Sequence, residues 1–222
     1  MILCLVTDRR RLGAAIGAAE EDWSEVLHRQ IAAAASAGID YVQVREPDLE
    51  AGDLVALVRS LISRTGSSAT RVLVNDRLDV ALAARAGGVH LKERSILPDE
   101  ARRISPPGFI ISCSVHSVEA VTARKSADFL IAGTVLTTAS KPAVDYLNMD
   151  GLGRIVEAAT NQPVIGIGGL DVRSIPLLAS TCAAGLAAIG AFIPAGGEEL
   201  TKFVQNRVKA MRLAFDSASR RT

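Results

Sequence analysis

Eight short apolar runs, each followed by a longer amphipathic or polar stretch, succeed one another along this chain. They occupy residues 2–6, 41–45, 72–75, 88–91, 109–115, 129–133, 164–168 and 186–189. Such runs are strand-length, and strands separated by segments of helical period pair in parallel through crossovers. The 3.6-residue pattern predicts helices over 24–37, with Gly38 just beyond as a cap, and over 51–63, with Gly66 following. Others are predicted over 78–84, 98–104 and 198–218. Eight such units in 222 residues predict an α/β fold, a single (β/α)8 TIM barrel that takes in residues 1–222 as one domain. An open doubly wound sheet is the alternative. Its Gly-x-Gly-x-x-Gly turn is missing after the first strand, where Thr7-Asp8-Arg9-Arg10 stands instead. The Arg9-Arg10-Arg11 run and the Gly- and Ala-rich residues up to Ala19 predict a mobile loop with solvated arginines.

A chain of 23.3 kDa buries roughly 70% of its unfolded surface, so its core needs no disulfide or metal staple. With 25 Lys+Arg against 24 Asp+Glu the net charge is +1, which argues against a nucleic-acid surface. Cys4, Cys113 and Cys182 lie far apart within apolar runs, as buried thiols do in a reducing compartment. No apolar run reaches the ~18 residues of a membrane span, and no basic segment precedes the first strand. A cytoplasmic protein with no membrane or nucleic-acid partner is expected. The Ala-rich face at 31–37 and the final helix suit either a homodimer contact or the covering of strands.

In a barrel, chemistry collects at the C-terminal ends of the strands. Those ends read Gln43-x-Arg45-Glu46, Asn75-Asp76-Arg77, His90-x-Lys92-Glu93 and Ser112-x-Ser114-x-His116. Strand six runs into Gly133-Thr134, with Thr137, Thr138 and Lys141 following; strand seven ends in Gly166-x-Gly168-Gly169 and strand eight at Gly190. Together they predict a pocket for one small molecule. Gly168 and Gly169 let backbone N–H groups approach an anion, the next helix adding its dipole, or else they allow close strand–helix packing. Arg45 and Lys141 suit a phosphate, although Arg45 equally suits a surface pair with Glu46 or Asp76. Asp76 suits Mg²⁺ or a helix N-cap. His90 and His116 suit either proton transfer or a structural hydrogen bond. His28 is structural or exposed, and Ser114, outside any Gly-x-Ser-x-Gly elbow, is a hydrogen-bond donor.

With these residues in view the chain resembles the thiamine-phosphate synthase/TenI superfamily over nearly its whole length. The resemblance is carried by Leu-Val-Thr-Asp8, Val-Gln-Val-Arg-Glu46, Val-Asn-Asp-Arg-Leu-Asp-Val-Ala-Leu-Ala83, Gly-Val-His-Leu91, Ser-Cys-Ser-Val-His-Ser117, the 133–141 segment and Pro-Val-Ile-Gly-Ile-Gly-Gly-Leu170. In the synthase branch a hydroxymethylpyrimidine diphosphate joins a thiazole phosphate with release of pyrophosphate. The resemblance implies pyrophosphate contacts from Arg45, Asn75, Ser114 and Lys141, Mg²⁺ at Asp76, and thiazole-phosphate contacts from Gly168, Gly169 and the turn at Gly190. Gln43 belongs to the same motif.

Two synthase residues are absent: Pro47 stands at the lysine of Gln-x-Arg-Glu-Lys, and Ser95 at a second metal-binding aspartate. Both losses weaken a site that must stabilise departing pyrophosphate. They match the TenI-like branch, which isomerises a thiazole carboxylate phosphate and needs no metal or other cofactor. That branch's histidine after Gly133 is Thr134 here, which leaves His116 as the acid/base, with Ser114 and Thr134 beside it. The favoured expectation is therefore a thiazole tautomerase-like isomerase acting on a small phosphorylated thiazole. The alternatives are a synthase with a drifted site, using Mg²⁺, and a non-catalytic phosphate-ligand barrel of regulatory role.

Overall fold

The computed structural model describes residues 1–66, 68–137 and 146–219. In chain order the elements are β1 (Ile2–Val6), α1 (Arg9–Ile16), α2 (Trp23–Ser36), β2 (Tyr41–Val44), α3 (Ala51–Thr65), β3 (Arg71–Asn75), α4 (Leu78–Ala84), β4 (Gly88–Leu91) and α5 (Pro98–Ile104). They continue as β5 (Ile110–Val115), α6 (Val118–Thr122), β6 (Phe129–Gly133), α7 (Asn148–Ala159), β7 (Val164–Ile167), α8 (Ile175–Ser180), β8 (Gly185–Ala188) and α9 (Leu200–Ser219). Each strand pairs with the next and β8 returns to β1, closing the barrel that the eight apolar runs predicted.

Alternation along each strand sends residues to two cores. Cys4, Val6, Leu73, Phe129, Ile131, Ile165 and Ala187 fill the barrel interior, where Tyr41 stacks on Phe129 with ring centroids 4.9 Å apart. The larger core lies between strands and helices and includes Leu3, Leu5, Val42, Val74, Val89 and Ile111. Ile31, Ala34, Val204, Val208 and Met211 are buried in that outer core, so the Ala-rich face and the final helix cover the barrel of their own chain. The barrel closes tightly at Gly185, where a Cβ would lie 1.8 Å from the Ile2 carbonyl oxygen.

Two expectations are corrected. The segment after β1 is not a mobile loop but helix α1, begun by Asp8, whose side chain accepts from the Arg11 amide, and ended by Gly17 in the left-handed region; of its three arginines Arg10 and Arg11 are exposed, as expected, and Arg9 is not. Arg9 is 9% exposed, because its guanidinium is taken up by Glu46 and Asp48 from the segment after β2. Cys4 and Cys113 are buried as expected, and burial pushes both thiols up to about 12. Cys182 is exposed, since it occupies a positive-φ turn position (φ 58°) outside the strand.

Candidate active site

The interior is divided at the C-terminal ends of its strands. β2 to β5 turn Gln43, Asn75, His90, Ser112 and Ser114 inward, and register sets Gln43 beside Val6, Asn75 beside His90, His90 beside Ser112 and Ser114 beside Ile131. The opposite arc is apolar, built from Val6, Ile131, Ile167, Ala187 and Ile189. A ring with one polar and one apolar edge suits such a mouth.

The polar arc is internally bonded. Gln43 Nε2 donates to Asn75 Oδ1 at 2.9 Å, while the buried Gln43 Oε1 has no protein donor among the described residues. His90 bridges two serines, with Nδ1 2.9 Å from Ser112 Oγ and Nε2 2.8 Å from Ser114 Oγ. Burial pushes the His90 pKa down to about 4, so this ring is neutral near pH 7. A neutral imidazole gives one N–H to one serine and accepts from the other. His90 thereby orients Ser114, which is the half-buried member of the trio.

His116 stands at the rim, after β5. Its Nδ1 meets the Gly133 carbonyl oxygen, and its Nε2 lies 3.7 Å from Glu93 Oε2. With Nδ1–H given to that carbonyl, Nε2 is the ring nitrogen on the side of Glu93. Thr134 follows Gly133, and its Cγ2 lies where a Cβ on Gly168 would come to 2.4 Å. Its methyl therefore seats the glycine turn. Gly168 and Gly169 have φ of 104° and 66°, a region that other residues rarely adopt. The Leu136 amide donates to the Gly168 carbonyl at 3.0 Å, binding the segment after β6 to that turn. The helical segment behind this turn begins as a 3-10 turn at Val172–Ser174 and continues into α8 at Ile175, and its first amides, those of Arg173 and Ser174, are already taken by the Asp171 carboxylate.

Asp76 is already engaged. Its Oδ2 lies 2.7 Å from the Lys92 ammonium, and its Oδ1 accepts from Ser95 Oγ. Partial burial opposes ionisation, but the bonds from Lys92 and Ser95 outweigh it and hold the carboxyl below its usual value. The helix-cap reading falls, because Arg77 holds the cap position of α4 and makes no side-chain cap bond. The metal reading meets an ammonium 2.7 Å from the carboxylate, so Mg²⁺ at Asp76 would have to displace Lys92.

The surface pairs considered for Arg45 do not form. Glu46 binds Arg9, with Nη1 3.0 Å from Oε2, and Asp76 binds Lys92, so the exposed Arg45 guanidinium stays on the rim while its amide donates to Thr7 Oγ1 at 2.9 Å. His28 is structural, with Nε2 2.7 Å from Ser60 Oγ. Lys141 lies outside the described residues. Glu46 and Asp48 as the anchor of α1, and Lys92 as the partner of Asp76, are what the linear pattern missed.

These features define a parallel barrel with a small-ligand mouth, polar on one arc and apolar on the other. The family model described as thiamine monophosphate synthase matches residues 12–192. A thiamine-phosphate synthase of Roseiflexus castenholzii is 35% identical over 201 residues, covering 89% of this chain and 83% of that protein. A protein named putative thiamine-phosphate synthase 2, from Aquifex aeolicus, is 31% identical over 193 residues, covering 86% and 97%. The solved thiamine phosphate pyrophosphorylase of Pyrococcus furiosus superposes with a TM-score of 0.78 at 28% identity, covering 98% of this chain and 96% of that one. The chain belongs to the thiamine-phosphate synthase/TenI family of enzymes. No helix among the described residues is long and apolar enough to cross a membrane.

Proposed function

We propose that this barrel binds a small phosphorylated thiazole in the cytoplasm and moves a proton on its ring without a metal, as a TenI-like tautomerase. The observation that carries this reading is the closure of Asp76 by Lys92 and Ser95. A synthase needs a cation there to take the charge of departing pyrophosphate, whereas a tautomerase needs only a proton acceptor and a grip on the phosphate. In this reading His116 Nε2 takes a proton from one ring position and returns it at another, so nothing is consumed. Ser114, held by neutral His90, donates to the ligand's polar edge, and Gln43 and Asn75 line the same arc. Thr134 supports the glycine turn, and Gly168, Gly169 and Gly190, with Arg45 and Lys141, hold the phosphate.

The test is to follow a thiazole carboxylate phosphate by NMR in excess EDTA. Conversion to the aromatic tautomer is expected, and His116→Asn should slow it by about 10²- to 10⁴-fold. No conversion by the parent protein refutes the reading. The synthase is the second reading, favoured by the names of the relatives and by Arg45, Asn75 and Ser114; it requires Asp76 to exchange Lys92 for Mg²⁺.

A further inference from the structure

We propose that Arg11, on the first turn of α1, supplies a further charged grip, beyond Arg45 and Lys141, on the phosphate at the β7–β8 end of the mouth. This rests on the reading above that the ligand carries a phosphate. The register Ile167 to Ala187 makes the turns at Gly168–Gly169 and at Gly190 neighbours on the rim. A Cβ on Gly190 would lie 2.9 Å from Arg11 Nη2 and 3.6 Å from Nη1, so the guanidinium lies directly over that glycine. No acceptor among the described residues takes the amide N–H of Gly168, Gly169 or Gly190. An arginine fork above such amides matches the oxygens of a phosphate.

Its neighbours in the run are otherwise committed. Arg9 Nη2 lies 2.6 Å and Arg10 Nη2 3.1 Å from Asp48 Oδ2, whereas the exposed Arg11 guanidinium makes no ion pair or hydrogen bond among the described residues. Both sides of the site are fixed before any ligand arrives. Arg9, bound to Glu46, holds the start of α1, and Gln30 Nε2 donates at 2.8 Å to the Phe192 carbonyl, which steadies the turn that follows Gly190. Binding an anion here leaves little to be ordered beyond the Arg11 side chain.

The test is a titration with inorganic phosphate read from ¹H–¹⁵N spectra of the whole protein. In the parent the Gly168, Gly169 and Gly190 amides should shift saturably, Arg11→Ala should weaken binding about tenfold, Arg11→Lys should restore part of it, and Arg10→Ala should match the parent. Unmoved amides, an Arg11→Ala titration equal to the parent's, or an equal loss in Arg10→Ala overturns the proposal. A second arm compares a thiazole alcohol with its phosphate ester. If the phosphate response depends on Arg11 but the ester binds no tighter than free phosphate, the Arg11 site stands and the thiazole reading falls.

Discussion

Replacing Arg9 with methionine keeps most of the side-chain volume and removes the charge that two carboxylates share. Glu46 is 4% exposed and accepts from Arg9 Nη1 at 3.0 Å and from the Arg9 amide at 3.1 Å; Asp48 takes Nη1 at 2.8 Å and Nη2 at 2.6 Å. Removing one partner of a buried pair costs about 3–5 kcal/mol, and the lower end applies because Asp48 retains contact with solvent and Arg10. About 3 kcal/mol in a chain of this size lowers Tm by roughly 6–12 °C. The pH dependence follows from the two carboxylates. Burial already raises the Glu46 pKa, and loss of Arg9 raises it further; Asp48 is held low chiefly by its hydrogen bonds from Arg9. In the variant both protonate more readily, so the deficit is full at pH 7 and shrinks as the pH falls toward about 4. Calorimetry at the two pH values measures this directly. A fall in Tm under about 2 °C at pH 7, or a deficit that grows in acid, refutes the assignment of Arg9 as the anchor of α1.

Gly185→Ala should abolish soluble folded protein, because a Cβ 1.8 Å from the Ile2 carbonyl oxygen separates β8 from β1; native-like circular dichroism with an unchanged Tm would contradict this. His90 has a pKa of about 4 against an ordinary 6.5, so the unfolded chain takes up its proton first and stability should fall as the pH drops through that interval. His90→Asn should flatten that part of the urea-midpoint profile, and an unaltered slope would exclude His90 as its source. Lys92→Gly combined with Ser95→Asp removes the ammonium facing Asp76 and adds a carboxylate. Mn²⁺ titration followed by electron paramagnetic resonance should show binding in this variant, and parent protein that binds Mn²⁺ equally well would undo the account of Asp76.

The barrel was legible because its information is local. Each strand is a short apolar run bounded by polar or small residues, and a period of two decides which side chains face inward. Gln43, Asn75, His90, Ser112 and Ser114 could thus be assigned to strand ends before their bonds were seen. What escaped the sequence depends on neighbours distant along the chain. The arginine run folds into α1 because Glu46 and Asp48, 37 and 39 residues beyond Arg9, meet its guanidinium. Asp76 reads as a metal ligand or cap until β3 and β4 lie side by side and bring Lys92, with Ser95 after it, onto its carboxylate. Cys182 looks buried in its apolar run, but the turn before β8 exposes it. The family motifs identified the superfamily well, whereas the choice between its branches turns on Pro47, Ser95 and Thr134 and on what takes up the charges around them.

Release of pyrophosphate tests the central claim most directly. Protein mixed with hydroxymethylpyrimidine diphosphate, thiazole phosphate and Mg²⁺ should liberate pyrophosphate no faster than a blank without protein, because Lys92 and Ser95 already hold the Asp76 carboxylate. Mg²⁺-dependent release at an ordinary enzymatic rate, on the order of 1 s⁻¹ or above, would contradict the account and make this barrel a synthase.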